Sequence, residues 1–369
     1  MSDDEPDLEL LALLRQHLQG KLTLNDEPET GVLEGAEYVY DNAIDVAIDM
    51  RSCKNAAAAI HAQMQQKQYS PATWSAHELH PDRTKIGPEA TVAFIFTMDL
   101  LNFSFWSELP DAERFAIEYR GQRWTGYWSL VAAMQRALDE GIPITDSHFW
   151  QDEEECTLDV LRQVFRSCTN EEMPLLAERL ACLREAGKVL YERYECHPIN
   201  LIEEANGSAA ALVNLLARDF SCFRDEHVFD GRRKPIRILK RAQILVADLW
   251  ACFEGEGYGK FRDIDKITMF ADYRVPQILN TMGCISYSPP LDTAIRLKKD
   301  IPCGKSWEMQ LRACSIWCVE LIRREIVKRY PGTHTNAILI DFFLYDTIKE
   351  MEAAGQESVP HHRTRSIWY

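Results

Sequence analysis

Apolar residues recur at the three- to four-residue spacing of an α-helix along most of this chain, whereas strand-like alternation is rare. Each of these segments can bury one apolar face against a neighbour. The pattern predicts helices over residues 41–51, 54–68, 130–140, 157–168, 172–194, 208–220, 236–250, 306–329 and 336–351. The chain is therefore predicted to fold by packing helices against helices.

One segment has the alternation of a β-hairpin, residues 115–124, which alternate about Arg120-Gly-Gln122. The sequence contains no internal repeat and no low-complexity linker long enough to separate two domains. We predict a mainly α-helical fold, with residues 37–369 as a single helical globular domain containing a small β-hairpin. Residues 1–36 are predicted to form an acidic N-terminal arm.

Charge and hydropathy narrow the classes of partner. The net charge of −16 argues against binding along a nucleic-acid polymer, which needs a basic surface. No apolar run reaches the roughly 18 residues that a membrane span requires. The acidic start of the chain lacks the basic and apolar regions of a secretory signal. We expect a cytoplasmic protein that has no membrane and no nucleic-acid polymer as a partner.

The eleven cysteines are scattered and include no Cys-x-x-Cys pair. Cys314 and Cys318 have a helical spacing that could place two ligands on one face, but no second pair accompanies them. A zinc site needs more ligands than this. We therefore expect reduced thiols and no bound metal.

The segment Thr268–Gln277 places Asp272, Tyr273 and Arg274 among apolar residues. A buried charge costs several kcal/mol unless it is paired or used. Pro276 predicts a helix beginning at this point, with Gly283 as a possible C-cap. Asp272 is either a reactive carboxylate at a helix entrance or a capping residue paired with a nearby arginine, and the segment alone does not decide between them.

Two further polar residues interrupt apolar helices, Lys240 and Asp341. Together with Asp272 they suit the cleavage of a glycosidic bond, in which a carboxylate faces the positive charge that develops on the sugar. Residues 102–106 add three aromatic rings, an asparagine and a serine, which could either wall a pocket for a flat heterocycle or fill a core. The chain has no signature for acyl transfer and no phosphate-binding loop.

The string Phe270-Ala-Asp-Tyr-Arg-Val-Pro-Gln277 resembles a signature of the queuosine salvage protein family. Further segments resemble the same family in the same order, from about residue 39 to residue 369. They are residues 101–106, 127–129, 137–145, 240–248, 340–346, 360–365 and 368–369.

This resemblance implies a fold like that of the helical DNA glycosylases. It also implies hydrolysis of the N-glycosidic bond of queuosine 5′-phosphate, a mononucleotide, which releases queuine for reuse in tRNA modification and needs no cofactor or metal. By resemblance Asp272 is the catalytic carboxylate, and Lys240 binds the substrate or keeps Asp272 ionised. Asp341 would accept hydrogen bonds from the base, which Phe270 and Phe105 would wall. Other expected substrate contacts are His77, Asn102, Trp106, Arg274, Tyr345 and Asp346.

Alternatives stay open at this point. The chain could be a non-catalytic protein that binds queuine or a nucleotide, whereas a DNA glycosylase is disfavoured by the net charge of −16. His77 could be a surface or capping residue. The cation that holds the 5′-phosphate is undecided among Lys240, Arg274, Arg237 and His77.

Overall fold

The structure is a computed structural model that describes residues 28–356 and 359–369. Helices make up most of it. They are α1 Val32–Asp41, α2 Met50–Gln66, α3 Ala72–Ser75, α4 Arg83–Ile86, α5 Pro88–Leu100, α6 Tyr127–Asp139, α7 Ser147–Gln151, α8 Leu158–Val164, α9 Leu176–Arg193, α10 Pro198–Glu204, α11 Ala209–Asp219, α12 Lys240–Cys252, α13 Arg274–Thr281, α14 Pro289–Arg296, α15 Ser306–Arg329 and α16 Ala337–Ala353.

The strands of the described residues form three small antiparallel pairs, β1 with β6, β2 with β3 and β4 with β5. Their bounds are β1 Val46–Ile48, β2 Ile117–Tyr119, β3 Gln122–Trp124, β4 Glu226–His227, β5 Ile236–Arg237 and β6 Ile285–Tyr287. Three short 3-10 helices complete the regular structure, Ser221–Phe223, Gly257–Gly259 and Ile264–Lys266. The mainly α-helical prediction is confirmed.

Helix α15 is the centre of the domain. Residues 308–320 are buried on every side of this helix, and it packs against α1, α2, α13 and α16. A helix that is buried all round has to be surrounded by other elements. One contiguous core of buried residues extends from Val32 to Ile348, which confirms the prediction of a single domain. No helix in the described part of the chain is both long and apolar enough to cross a membrane.

Most of the predicted helices and the hairpin are present, with shifted ends. The hairpin pairs Ile117 with Trp124, and the helix over 306–329 is confirmed. The helix predicted over 41–51 is wrong, because residues 46–48 form a strand whose partner is β6. This partner is distant in sequence, so local spacing could not indicate it. Helix α12 starts at Lys240 rather than residue 236, since Leu239 adopts a left-handed conformation with φ 49°.

The arm predicted for residues 1–36 stays a prediction. Residues 1–27 lie outside the described residues. The predicted boundary after residue 36 falls inside α1, where Val32, Ala36 and Val39 are fully buried.

A buried ion pair joins the elements that carry the polar residues of interest. Arg312 on α15 donates to both oxygens of Asp225, over 2.7 and 3.0 Å, and to the carbonyl oxygen of Ala271 over 2.9 Å. Asp225 also accepts from the backbone N–H of Lys240, over 3.3 Å. Burial would raise the pKa of Asp225, but Arg312 and His227 lower it to about 2. The pair therefore fixes the start of α12 against the segment before α13.

We expect Asp225→Asn to lower the free energy of unfolding by about 3 kcal/mol, because the buried Arg312 loses its bidentate partner and keeps Glu308, 3.3 Å away, as its remaining counter-charge. Urea denaturation followed by circular dichroism measures this change. The matched control is Glu325→Gln, which breaks the more exposed 2.7 Å ion pair with Arg329 and should cost less than about 1 kcal/mol. Equal small effects of both substitutions would contradict this view of the buried pair.

Candidate active site

A cavity of about 710 Å³ lies between α12, α16, the segment before α13 and the end of the chain. All eleven side chains predicted for the site line it. They are His77, Asn102, Phe105, Trp106, Lys240, Phe270, Asp272, Arg274, Asp341, Tyr345 and Asp346. The structure thus brings together residues from five separate parts of the sequence.

Two buried side chains hold the segment that carries Asp272. Gln243 on α12 accepts from the backbone N–H of Thr268 over 2.9 Å and donates to its hydroxyl over 3.0 Å. Arg312 donates to the carbonyl oxygen of Ala271. Because the backbone is held on both sides, the position of the Asp272 carboxylate is set by the core rather than by a mobile loop.

Asp272 stands at the entrance of α13. Its Oδ1 accepts from the backbone N–H groups of Arg274 and Val275, over 2.8 and 2.9 Å. Burial raises the pKa of Asp272, whereas Lys240 is the strongest influence that lowers it, followed by these two N–H groups. The capping interpretation is correct for one oxygen, and the carboxylate also lines the cavity. The reactive role of Asp272 stays a prediction.

Lys240 is the first residue of α12 and is 6% exposed. Within the described residues its ammonium group has no hydrogen-bond or ion-pair partner within 4.0 Å. Burial lowers its pKa to about 8, while Asp272 and, more weakly, Asp341 act in the opposite direction. A buried cation near two carboxylates but bonded to neither leaves room for a bound group between them.

Asp341 lies on α16 and is 5% exposed. Its Oδ1 accepts from the backbone N–H of Phe270 over 2.9 Å, and its Oδ2 has no hydrogen-bond partner among the described residues. Burial and then the charge of Asp272 raise the pKa of Asp341 well above its ordinary value. Like-charged carboxyl groups that are close and buried do not ionise together, so their pKa values separate.

The aromatic residues form the sides of the cavity. Phe270 packs against Phe342 with ring centroids 6.1 Å apart, and Tyr345 lies one helical turn beyond Asp341. Phe105 and Trp106 face arginines of other segments, Arg179 and Arg365. The side chain of Asp346 accepts from the hydroxyl of Tyr69, and burial raises the pKa of Asp346 to about 6.

A group of cationic residues lies on the side of the cavity next to Asp272. The guanidinium of Arg274 donates to Glu352 over 2.8 Å. Arg363 lines the cavity without a carboxylate within 4.0 Å in the described residues. The rings of His361 and Tyr273 are tilted against each other, with centroids 4.5 Å apart. Burial and then the charges of both arginines lower the pKa of His361 to about 3.

Several residues that line the cavity were not predicted from the sequence, and one predicted phosphate-binding cation lies outside the cavity. Arg363 and His361 belong to the quoted segment 360–365 but were given no role, and Trp74, Tyr127 and Asp248 were also missed. The spacing of four between Lys240, Ile244 and Asp248 was a signal that α12 presents all three on one face. Arg237 does not line the cavity. It bonds Glu226 over 2.9 Å instead.

Three buried cysteines form a cluster that the sequence did not indicate. The sulfur atoms of Cys53, Cys284 and Cys318 lie within 4.8 Å of one another. None of them lines the cavity, so the cluster takes no part in the site. The eleven cysteines are all free thiols.

Comparison with known proteins agrees with this arrangement. The family model described as queuosine salvage protein matches residues 79–369, which contain ten of the eleven predicted site residues. The chain belongs to the queuosine salvage protein family.

Relatives from three organisms match this chain over almost their whole length. A protein of Schizosaccharomyces pombe named queuosine 5′-phosphate N-glycosylase/hydrolase is 43% identical over 352 residues, which are 92% of this chain and 99% of the relative. Relatives of the same name from Mus musculus and Nematostella vectensis are 39% and 38% identical, covering 93% and 91% of this chain and 99% and 97% of their own.

We expect Asp272→Asn to lower the pKa of Lys240 below its value of about 8, because the substitution removes the largest influence that favours the charged lysine. The side-chain NMR signals of selectively labelled lysine, assigned with Lys240→Arg, measure this pKa. Asp346→Asn is the control and should leave it unchanged. A Lys240 pKa that does not move in Asp272→Asn would mean that the two groups are not coupled.

Proposed function

We propose that this protein hydrolyses the N-glycosidic bond of queuosine 5′-phosphate and releases queuine. The observation that carries the proposal is the pair of Asp272 and Lys240 on the wall of a 710 Å³ cavity with aromatic sides. Membership of the queuosine salvage family and the names of the relatives support it. The partners are then a mononucleotide and its free base, in the cytoplasm, without a nucleic-acid polymer or a membrane.

In the proposed reaction, the bond between C1′ of the ribose and N9 of the base breaks as positive charge develops on the sugar. Asp272 stabilises this charge and accepts a proton from the attacking water, whose oxygen bonds to C1′. The base leaves with the bonding electrons and takes up a proton from solvent, and Asp272 returns the proton of the water to solvent. Lys240 favours the ionised form of Asp272, which burial alone would disfavour. Fixed groups of this kind need no rearrangement in the transition state.

We propose that the base lies against Asp341 and the rings beside it. One oxygen of Asp341 is held by Phe270 N–H, so the other oxygen is available to the N–H groups of the 7-deazaguanine ring. Phe270, Phe105 and Tyr345 supply apolar and aromatic surface of the size that a flat heterocycle covers. Asn102, His77, Trp106 and Asp346 are proposed as further contacts.

We propose that the 5′-phosphate lies beside Arg274 and Arg363. Arg274 follows Asp272 by two residues, and a phosphate on C5′ must stay close to the sugar. Arg363 faces the cavity without a counter-charge within 4.0 Å in the described residues, which suits it to bind an anion. Lys240 is then left to act at the sugar rather than at the phosphate.

The direct test of the reaction is to incubate the protein with queuosine 5′-phosphate and to measure free queuine by mass spectrometry. We expect release by the wild type and a fall of at least about 100-fold in kcat/KM for Asp272→Asn, equivalent to about 2.7 kcal/mol of barrier. Asp263→Asn is the matched control, because Asp263 also caps a helix, at Ala209 N–H over 2.6 Å, but does not line the cavity.

Full activity of Asp272→Asn would move the chemistry to another residue, and Asp341→Asn would be the next variant. Binding of the nucleotide by the wild type without any release of queuine would support a non-catalytic binding protein instead.

For the phosphate site, we expect Arg363→Gln to lower kcat/KM for queuosine 5′-phosphate by about tenfold or more and to leave kcat/KM for the nucleoside queuosine nearly unchanged. The reason is that only the nucleotide presents the anion. Arg324→Gln, which removes a guanidinium paired with Glu320 outside the cavity, controls for the loss of positive charge. An equal fall for nucleoside and nucleotide would contradict this placement of the phosphate.

A further inference from the structure

The cavity has an inner end that the proposed reaction does not use. Lys240, Ile244 and Asp248 line the cavity from one face of α12, and Asp248, at the inner end, lies about 12 Å along the helix axis from Lys240. Asp248 is 3% exposed. A carboxylate so deep and so far from the reacting bond calls for a partner of its own.

A second buried carboxyl group, Asp99 on α5, lies near Asp248 but does not line the cavity. Its Oδ1 accepts from Asn102 over 3.2 Å, while its Oδ2 has no hydrogen-bond partner in the described residues. Burial raises the pKa of Asp99 to about 8, and burial together with Asp99 raises the pKa of Asp248 well above its ordinary value. The charges of Lys240 and Arg241 lower the pKa of Asp99 by less than burial raises it. No cation of the described residues is among the groups that act on the pKa of Asp248.

Aromatic rings form the wall around these carboxyl groups. Trp74 lies beside Asp248, whose pKa it lowers, and stacks on His80 at a ring-centroid distance of 3.6 Å. The Nδ1 of His80 lies 2.6 Å from the carbonyl oxygen of Trp74, so it must carry the proton, and Nε2 can then accept from the hydroxyl of Tyr127 at 2.7 Å. Burial lowers the pKa of His80 to about 3, so this ring is neutral and supplies no cation.

The cations nearest to this end are engaged or distant. Arg241 donates to the carbonyl oxygens of Leu100, over 2.5 Å, and Cys222. Lys240 has Asp272 as its strongest electrostatic partner. Carboxylates and aromatic faces are the two kinds of group by which proteins bind an ammonium ion, and here they occur together in one part of a cavity.

We propose that the inner end binds the ammonium group of the 7-substituent of the queuine base, with Asp248 as its counter-ion and the rings of Trp74 and Tyr127 as its wall. This inference rests on the proposed function. Queuine is a 7-deazaguanine whose C7 carries a methylene group, a secondary amine and a cyclopentenediol ring, and such an amine is protonated at neutral pH. With the ribose at Asp272 and the ring beside Asp341, the amine extends toward Asp248. Asp248 is a specificity-determining residue on this account.

The test compares three 5′-nucleotides that share the ribose phosphate. They are queuosine 5′-phosphate, the 7-aminomethyl-7-deazaguanosine analogue, which keeps a cation, and the 7-cyano-7-deazaguanosine analogue, which has none. We expect the wild type to hydrolyse both cationic nucleotides with kcat/KM at least about 30-fold above that of the cyano analogue. Asp248→Asn, a neutral residue of the same shape, should reduce this preference to within about threefold by slowing the cationic substrates only.

Asp263→Asn serves again as the control, since it replaces a buried carboxyl group outside the cavity and should keep the wild-type preference. An equal fall of Asp248→Asn on all three nucleotides would overturn the proposal and give Asp248 a structural role. A wild type that hydrolyses the cyano analogue as well as queuosine 5′-phosphate would also overturn it, without any substituted protein, while leaving the proposed reaction intact. Failure to hydrolyse any of the three would instead contradict the proposed function.

Discussion

The buried ion pair between Arg312 and Asp225 is the interaction on which the site depends. It connects the central helix to the first residue of α12 through the N–H of Lys240 and to the segment before α13 through the carbonyl of Ala271. Lys240 and Asp272 thus stand on two elements fixed by the same guanidinium. A buried pair of this kind contributes little net stability compared with apolar packing. In this protein it sets the relative position of the two side chains that we propose act on the substrate.

Burial shifts the pKa values of the ionisable groups that line the cavity. It lowers the pKa of Lys240 and raises those of Asp272 and Asp341, so each charged form depends on its neighbours or on a ligand. The cationic side next to Asp272 suits a phosphate, and the acidic inner end suits an ammonium group. A zwitterionic nucleotide with its anion at one end and its cation at the other fits this distribution in one orientation.

Local sequence patterns predicted the helices and also the polar residues that interrupt them. Asp272, Lys240 and Asp341 were recognisable because each lies in an apolar segment, where an unused charge is costly. The strand β1 was missed, since its partner β6 is more than 230 residues away and spacing within residues 41–51 resembles a helix. Arg312 and Asp225 are 87 residues apart, so local periodicity does not indicate that they pair. The same holds for the proximity of Asp99 and Asp248. Such contacts are fixed only when the whole core packs.

A crystal structure of Asp272→Asn with queuosine 5′-phosphate bound would test the proposed site most directly. We predict that C1′ of the ribose lies within about 4 Å of the residue 272 side chain, with the base directed toward Asp341 and the interior. A nucleotide bound with its ribose away from residue 272, or with its base at the cationic side beside Arg363, would contradict the account.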